Sequence, residues 1–336
     1  MADFHEQIKR LVDTSPVSGV AIATINNSDI DISCYGSHQG QPLDDATPLL
    51  VASLTKPVFA YAVMQLVERG TIELDKPLAD YLPYPYLENE PYLSEITARH
   101  ALSHTTGFPN WRDADGLASA FRPGTAYSYS SEGLNYLQVV FEYLSGQSLS
   151  EYLDVNVFSP LHMVNSRLIL EDANQLKQKP YLAHLVATPL QANGALSLET
   201  TISDYSQFMQ EMLRTESVIA PRLSPKTLEL MVQPIIQVGD YSSLSWGLGW
   251  GLQHRNHDDI SFWHWGVRGD VPTQSYVVGW RSKAQATVII TNHLQGLELC
   301  HEITKLLYDD QTSLPAFDWL LPPQHWRGDG TIPQSD

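Results

Sequence analysis

Two residues near position 50 have the types and spacing for acyl-transfer chemistry. In LVASLTKPVFAYAVMQLVERG, Ser53 and Lys56 stand three apart where an apolar helical pattern begins. A serine hydroxyl is not ionised at neutral pH, so it needs a base and an electropositive setting to act as a nucleophile. The first turn of a helix supplies unpaired N–H groups and a partial positive charge. Residues i and i+3 share a helix face, so the Lys56 amine can reach the Ser53 oxygen. Pro57 then falls where a first helical turn tolerates proline.

The elements that must hold this pair are legible around it. The opening residues, with Phe4, Ile8, Leu11 and Val12, have amphipathic helical spacing, and SGVAIATI (18–25) and DIDISCYGS (29–37) form a hairpin pattern across NNSD. Near the other end, ISFWHWGV, TQSYVVGW and QATVIITNH, within 260–293, are three further β-like runs, and 294–310 has a helical apolar stripe. Segments 57–70, 94–103, 132–145, 200–214 and 225–232 also have helical spacing. These patterns predict an α/β (α+β) fold with an antiparallel sheet built from both chain ends. The expected division is a single domain over 1–336, with a sheet subdomain from 1–75 and 241–336 and a mostly helical subdomain over 76–240.

Serine-x-x-lysine becomes specific when partner motifs follow in order. FRPGTAYSYSSEGLNYL (121–137) resembles the second motif of the class C beta-lactamase and D-Ala-D-Ala carboxypeptidase branch, with Tyr129-Ser130-Ser131 in the Tyr-x-Asn position. FWHWGVRGD (262–270) resembles the third motif, with His264-Trp265-Gly266 in place of Lys-Thr-Gly. TARHALSHTTGFPNW, LDKPLADYLP, NGALSLETTISDYSQFM and WGLGWGL are similar to further family stretches, so the likeness extends over most of the chain. By these motifs the chain is identified as a member of the serine beta-lactamase and penicillin-binding-protein-like family, which includes D-aminopeptidases and beta-lactamase-like carboxylesterases.

The resemblance implies a beta-lactamase/transpeptidase-like fold with a five-stranded sheet. It implies Ser53 as nucleophile, Tyr129 acting with Lys56 as base, and His264 facing the pocket to orient substrate or the Tyr129 proton. It also implies an oxyanion hole from the backbone N–H groups of Ser53 and Val267, and substrate contacts from Ser131, Trp265, Gly266 and Arg268. Two departures bear on substrate. Ser131 replaces an asparagine whose amide contacts an acylamino group, and His264 replaces a lysine that attracts a substrate carboxylate. Both point away from efficient beta-lactam hydrolysis and lean towards carboxylesterase-type cleavage. A D-Ala-D-Ala carboxypeptidase or D-aminopeptidase, a weak beta-lactamase, and a non-catalytic binder of acylated ligands remain as alternatives.

Composition excludes several other classes. The 336 residues carry 38 acidic and 20 basic side chains, a formal charge of −18, which opposes nucleic acid and anionic lipid. The only cysteines, Cys34 and Cys300, make no disulfide framework or metal pair. His100 and His104 lie four apart, but no HExxH pattern completes them, and no metal or other cofactor is expected. The acidic pairs Asp44-Asp45, Asp258-Asp259 and Asp309-Asp310 suit solvated turns and a helix end. Trp111, Phe121, Tyr127, Trp246, Trp250, Trp263 and Trp265 cluster around the motifs in sequence, and two or three of them are expected to line an apolar acyl pocket. The N-terminus has no signal-peptide pattern, so a cytoplasmic chain is expected. Its expected partner is a small ester, amide or D-amino-acid peptide, with no membrane and no obligate protein partner.

Overall fold

The computed structural model describes residues 2–83, 85–87, 90–112, 117–169, 192–256, 259–269, 271–308 and 314–321. Helix α1, Ala2–Thr14, leads into the hairpin of β1, Gly19–Asn26, and β2, Asp29–His38. Asn27 closes that hairpin with φ +56°, a left-handed turn conformation that asparagine tolerates. Short strands β3, Gln41–Pro42, and β4, Leu49–Leu50, precede helix α2, Thr55–Glu68. Helices α3, Ala98–Leu102, and α4, Ser131–Ser145, follow, and later helices span Ile202–Leu213 and Pro225–Met231. Strands β5, Arg167–Leu168, and β6, Leu198–Thr200, pair with β4 in a small sheet.

The remaining strands are β7, Ile236–Val238; β8, Tyr241–Trp246; β9, Gly251–Asn256; β10, Asp259–Val267; β11, Gln274–Trp280; and β12, Gln285–Thr291. With β1–β3 they form one sheet in the order β3-β2-β1-β12-β11-β10-β9-β8-β7. β1 pairs antiparallel with β12, so the two chain ends meet in mid-sheet, as the sequence predicts. The sheet has nine strands where five were expected. The additions are the short β3 and the hairpin-linked β7–β9, segments too brief or too glycine-rich to show a clear period of two.

Alternating side chains give the sheet two buried faces. Ala21, Ala23, Phe262, Val277, Val288 and Ile290 pack inward with α2. Val20, Ile22, Trp263, Tyr276, Val278 and Ile289 pack outward with Ile8 of α1, and with Leu297, Cys300, Ile303 and Phe317 of the C-terminal helices Gly296–Tyr308 and Pro315–Leu320. Burial on both faces explains why these strands are apolar almost continuously. Helix α2 is buried without interruption from Thr55 to Leu66. An all-round apolar helix belongs inside a protein, and α2 places Ser53 and Lys56 at the centre of the molecule.

Candidate active site

Ser53 lies in a 3-10 turn, Ala52–Leu54, that runs directly into α2. The residue before it, Ala52, is held at φ +47°, a left-handed conformation that costs an alanine about 1–2 kcal/mol. Third-motif Gly266 explains how this turn sits against β10. A Cβ there would stand 2.1 Å from the Val51 carbonyl oxygen, so only glycine allows the strand and the serine turn to touch. Gly266 thus acts through absence of a side chain, not through a substrate contact of its own. Gly249, at φ +84°, similarly lets the β8–β9 connection press on Ala60 of α2, where a Cβ would lie 2.3 Å from the alanine methyl.

Lys56 Nζ is 2.9 Å from Ser53 Oγ and 2.9 Å from the Ala195 carbonyl oxygen. Neither neighbour is charged. Burial therefore holds the lysine pKa well below its usual value, favouring the neutral amine. The Ala195 carbonyl is placed by a locked turn. The Ala195 N–H donates to Asn193 Oδ1 at 2.7 Å, Asn193 Nδ2 donates to Asn135 Oδ1 at 2.7 Å, and the Gly194 N–H donates to Gln138 Oε1 at 2.8 Å.

The Tyr129 ring lies beneath Lys56, with Nζ 4.8 Å from the ring centroid. Part of the ring is exposed, but its hydroxyl is buried and makes no hydrogen bond of ordinary geometry to protein. Burial raises the phenol pKa, opposed only by Ser53, so Tyr129 is held protonated. Burial thus acts in opposite senses on the pair, towards the neutral amine at Lys56 and towards the phenol at Tyr129.

His264 is fully buried, and its ring centroid is 6.3 Å from that of Tyr129. His264 Nδ1 lies 2.8 Å from the Trp265 carbonyl oxygen and 2.9 Å from the Trp265 N–H, while Nε2 is buried without a protein partner. Burial, with the nearby Lys56, drives its pKa down to about 3, so His264 is neutral at pH 7. Pairing of β10 with β9 runs only to Trp263–Gly251, whereas pairing with β11 continues through Val267–Gln274. The far end of β10, from His264 to Val267, therefore leaves one edge open beside the Ser53 turn.

The other expected contacts are placed less simply. Ser131 is buried, and its Oγ donates to Asn110 Oδ1 at 2.9 Å instead of turning outward. Trp265 packs on Tyr129 at 4.8 Å between centroids and on half-buried Trp319 at 5.1 Å. Arg268 is only 7% exposed. Trp246, Trp250 and Trp263 are fully buried, and of these Trp246 reaches the site, with its ring 5.9 Å from Tyr129 and 5.6 Å from His264. His100 is committed to a capping box with Thr97, and His104 packs against Tyr129 instead, so the pair does not form a ligand set. Among the described residues no group of three or more metal-ligating side chains gathers. Asp44 closes a turn with Thr47 and Asp259 pairs with Lys283, whereas Asp258, Asp309 and Asp310 lie outside the described residues. No described helix is long and apolar enough to cross a membrane.

Sequence reasoning missed Ala195, Asn110, His104 and Trp319 as parts of this surrounding. The stretches holding Ala195 and Asn110 carry only a family resemblance, and the spacing of His104 from His100 raises only the question of a metal. Nothing in the sequence marks Trp319, which reaches the cluster through the terminal helix.

Comparisons with known proteins agree with this architecture. A sequence profile described as beta-lactamase matches residues 4–303. Esterase EstB of Burkholderia gladioli is 34% identical over 158 residues, covering 37% of this chain and 39% of that protein. A penicillin-binding protein of Bacillus subtilis is 24% identical over 263 residues, covering 64% of this chain and 54% of that protein. The chain thus spans about half the length, or less, of these relatives. The octameric penicillin-binding protein homologue from Pyrococcus abyssi superposes with a TM-score of 0.74 at 18% identity, over 94% of this chain and 79% of that one. The chain belongs to the beta-lactamase family, a family of serine hydrolases.

Proposed function

From that membership, we propose that the protein hydrolyses small uncharged esters through an acyl-Ser53 intermediate. The observation that carries this reading is the Ser53–Lys56 pair, a nucleophile 2.9 Å from a buried amine whose other neighbour is a neutral carbonyl. Neutral Lys56 takes the Ser53 proton as Oγ attacks the ester carbonyl. The developing oxyanion is met by the backbone N–H groups of Ser53 and Val267, each worth about 2.7–4 kcal/mol in such sites. Tyr129, held as the phenol, passes its proton to the departing alkoxide and is restored from protonated Lys56. His264, with Nε2 unpartnered, serves as a donor to the Tyr129 oxygen in the tautomer that carries the proton on Nε2. Water then repeats the sequence on the acyl-enzyme, releasing the acid and regenerating Ser53.

The lean to esters rests on His264. A neutral imidazole stands where the third motif usually has a lysine, so that position offers no fixed charge to a substrate carboxylate. A second reading, hydrolysis of D-amino-acid peptides or amides, draws support from Asn110. Its carboxamide, 2.9 Å from Ser131 Oγ, keeps an amide beside the second motif. A panel of p-nitrophenyl esters, nitrocefin and D-alanyl peptides compared by kcat/KM separates the two, with short-chain esters expected to rank first. Preference for D-alanyl peptides would replace the ester reading. Labelling by a fluorophosphonate, mapped to Ser53 by mass spectrometry, tests the shared intermediate, and failure to label it would remove both in favour of a binder of acylated ligands.

A further inference from the structure

We infer that His104 is the positioning residue that sets the Tyr129 phenol against Ser53 and Lys56. The inference rests on the reading of Tyr129 as the group that delivers a proton to the leaving alkoxide. Helix α3 ends at Leu102, and His104 then takes φ +56°, a left-handed conformation uncommon for a residue with a Cβ. That turn directs both its carbonyl and its ring at the segment carrying Tyr129. The Ser128 N–H donates to the His104 carbonyl at 2.9 Å. The Ser130 N–H donates to His104 Nδ1 at 3.1 Å. One residue thus holds the backbone immediately before and immediately after Tyr129.

The ring adds a third constraint on the phenol itself. Its centroid lies 4.4 Å from that of Tyr129 and 5.0 Å from that of Trp246, at the end of β8. Trp246 in turn lies 5.6 Å from His264. Tyr129 is therefore referenced through His104 to the same sheet that carries the third motif. Nδ1 also lies 3.2 Å from the Ser130 carbonyl oxygen, so both polar groups of the Ser130 backbone meet this one ring nitrogen. Burial, then Lys56 and His264, hold its pKa well below the usual histidine value, so the ring stays neutral beside the base.

A positioning role differs from a structural one in its dependence on the leaving group. p-Nitrophenolate departs without help, whereas an alkoxide needs the proton that Tyr129 supplies. His104→Asn keeps an acceptor for the Ser130 N–H and suits the left-handed backbone, but removes the ring beneath the phenol. The experiment measures kcat and KM for p-nitrophenyl, phenyl and ethyl butyrate in wild type, His104→Asn and Tyr129→Phe, normalised to sites titrated by fluorophosphonate. The expected result is a kcat loss of about 3–10-fold on the p-nitrophenyl ester and about 100-fold on the ethyl ester for His104→Asn, with KM within about threefold. Tyr129→Phe should steepen the same dependence further. If Tyr129→Phe steepens it and His104→Asn keeps the wild-type slope, the positioning role is overturned while the Tyr129 reading stands. If Tyr129→Phe leaves the slope unchanged, the proton-delivery reading fails and takes this inference with it. Should His104→Asn not fold, as judged by Tm, His104→Gln is carried through the same series with the same deciding outcomes.

Discussion

Two buried ionisable side chains, Lys56 and Glu211, are 1% and 2% exposed, yet their surroundings drive them to opposite ends. Glu211 accepts from the Tyr61 hydroxyl at 2.8 Å, from Arg214 Nε and Nη2 at 2.8 Å each, and from Arg222 Nε at 3.0 Å. Burial opposes its ionisation, but those donors outweigh it and hold the carboxyl below the usual glutamate value. Lys56 has only a hydroxyl and a carbonyl, and burial neutralises it. A buried charge that is fully paired is a structural fixture, whereas one given only neutral partners becomes a base. The same contrast extends to neighbours. The Tyr61 hydroxyl is hydrogen-bonded to Glu211, while the hydroxyls of Tyr127 and Tyr129 and Nε2 of His264 lack protein partners.

Variants at the two centres should separate cleanly. Lys56→Met is expected to cut ester turnover by about 10⁴-fold or more, with Tm unchanged or raised, because it replaces a buried amine by an apolar chain of similar size. A variant that unfolds instead, with turnover per folded molecule preserved, would reverse the comparison. Tyr129→Phe follows, with a loss of about 10²–10⁴-fold read on alkyl esters. Glu211→Leu strands two guanidinium groups and should cost about 3–5 kcal/mol in denaturant unfolding, with kcat per folded molecule within about threefold. A large kcat effect there would tie the two centres together.

pH sharpens the contrast further. Lys56 must be neutral to act, so kcat/KM should rise with pH through a pKa below the ordinary lysine value of 10.5. His264 already sits at about 3, so no limb is expected near 6.5. Its folded pKa lies below its unfolded one, so the unfolded chain binds the extra proton, and stability falls as pH drops from 6.5 towards 3. His264→Gln should flatten that part of a Tm-versus-pH curve. Glu211 behaves with its own sign: its folded pKa is depressed, so its contribution is present above 4.5 and is lost as pH falls through the folded value. The smallest effect expected is on neutral-ester turnover in His264→Gln, a loss of about tenfold or less, since the amide keeps a donor.

The helix-borne pair Ser53 and Lys56 is legible because a spacing of three puts side chains on one face. Helix α2 and the pairing of terminal strands are legible for the same reason, since burial on defined faces leaves periodic apolar residues. Strands β7–β9 are not, because they are short and interrupted by Gly247, Gly249 and Gly251, whose reasons lie in the distant Met231 carbonyl, Ala60 of α2 and Trp263 of β10. Ser131 was expected to meet substrate from its motif position, yet its hydroxyl turns to Asn110, 21 residues earlier. The Ala195 carbonyl on Lys56 comes from 139 residues away and carries no pattern that a local reading detects.

The sequence by itself determined which groups are present: a serine and lysine on one helical face, a tyrosine, and a histidine where a lysine would give fixed charge. Tertiary structure alone decided where their protons rest. Charge state depends on solvent exclusion and on which distant dipoles converge, and neither is a property of residue type or spacing. Folding buries Lys56 against neutral oxygens and Tyr129 with it, so burial favours the neutral amine and the protonated phenol.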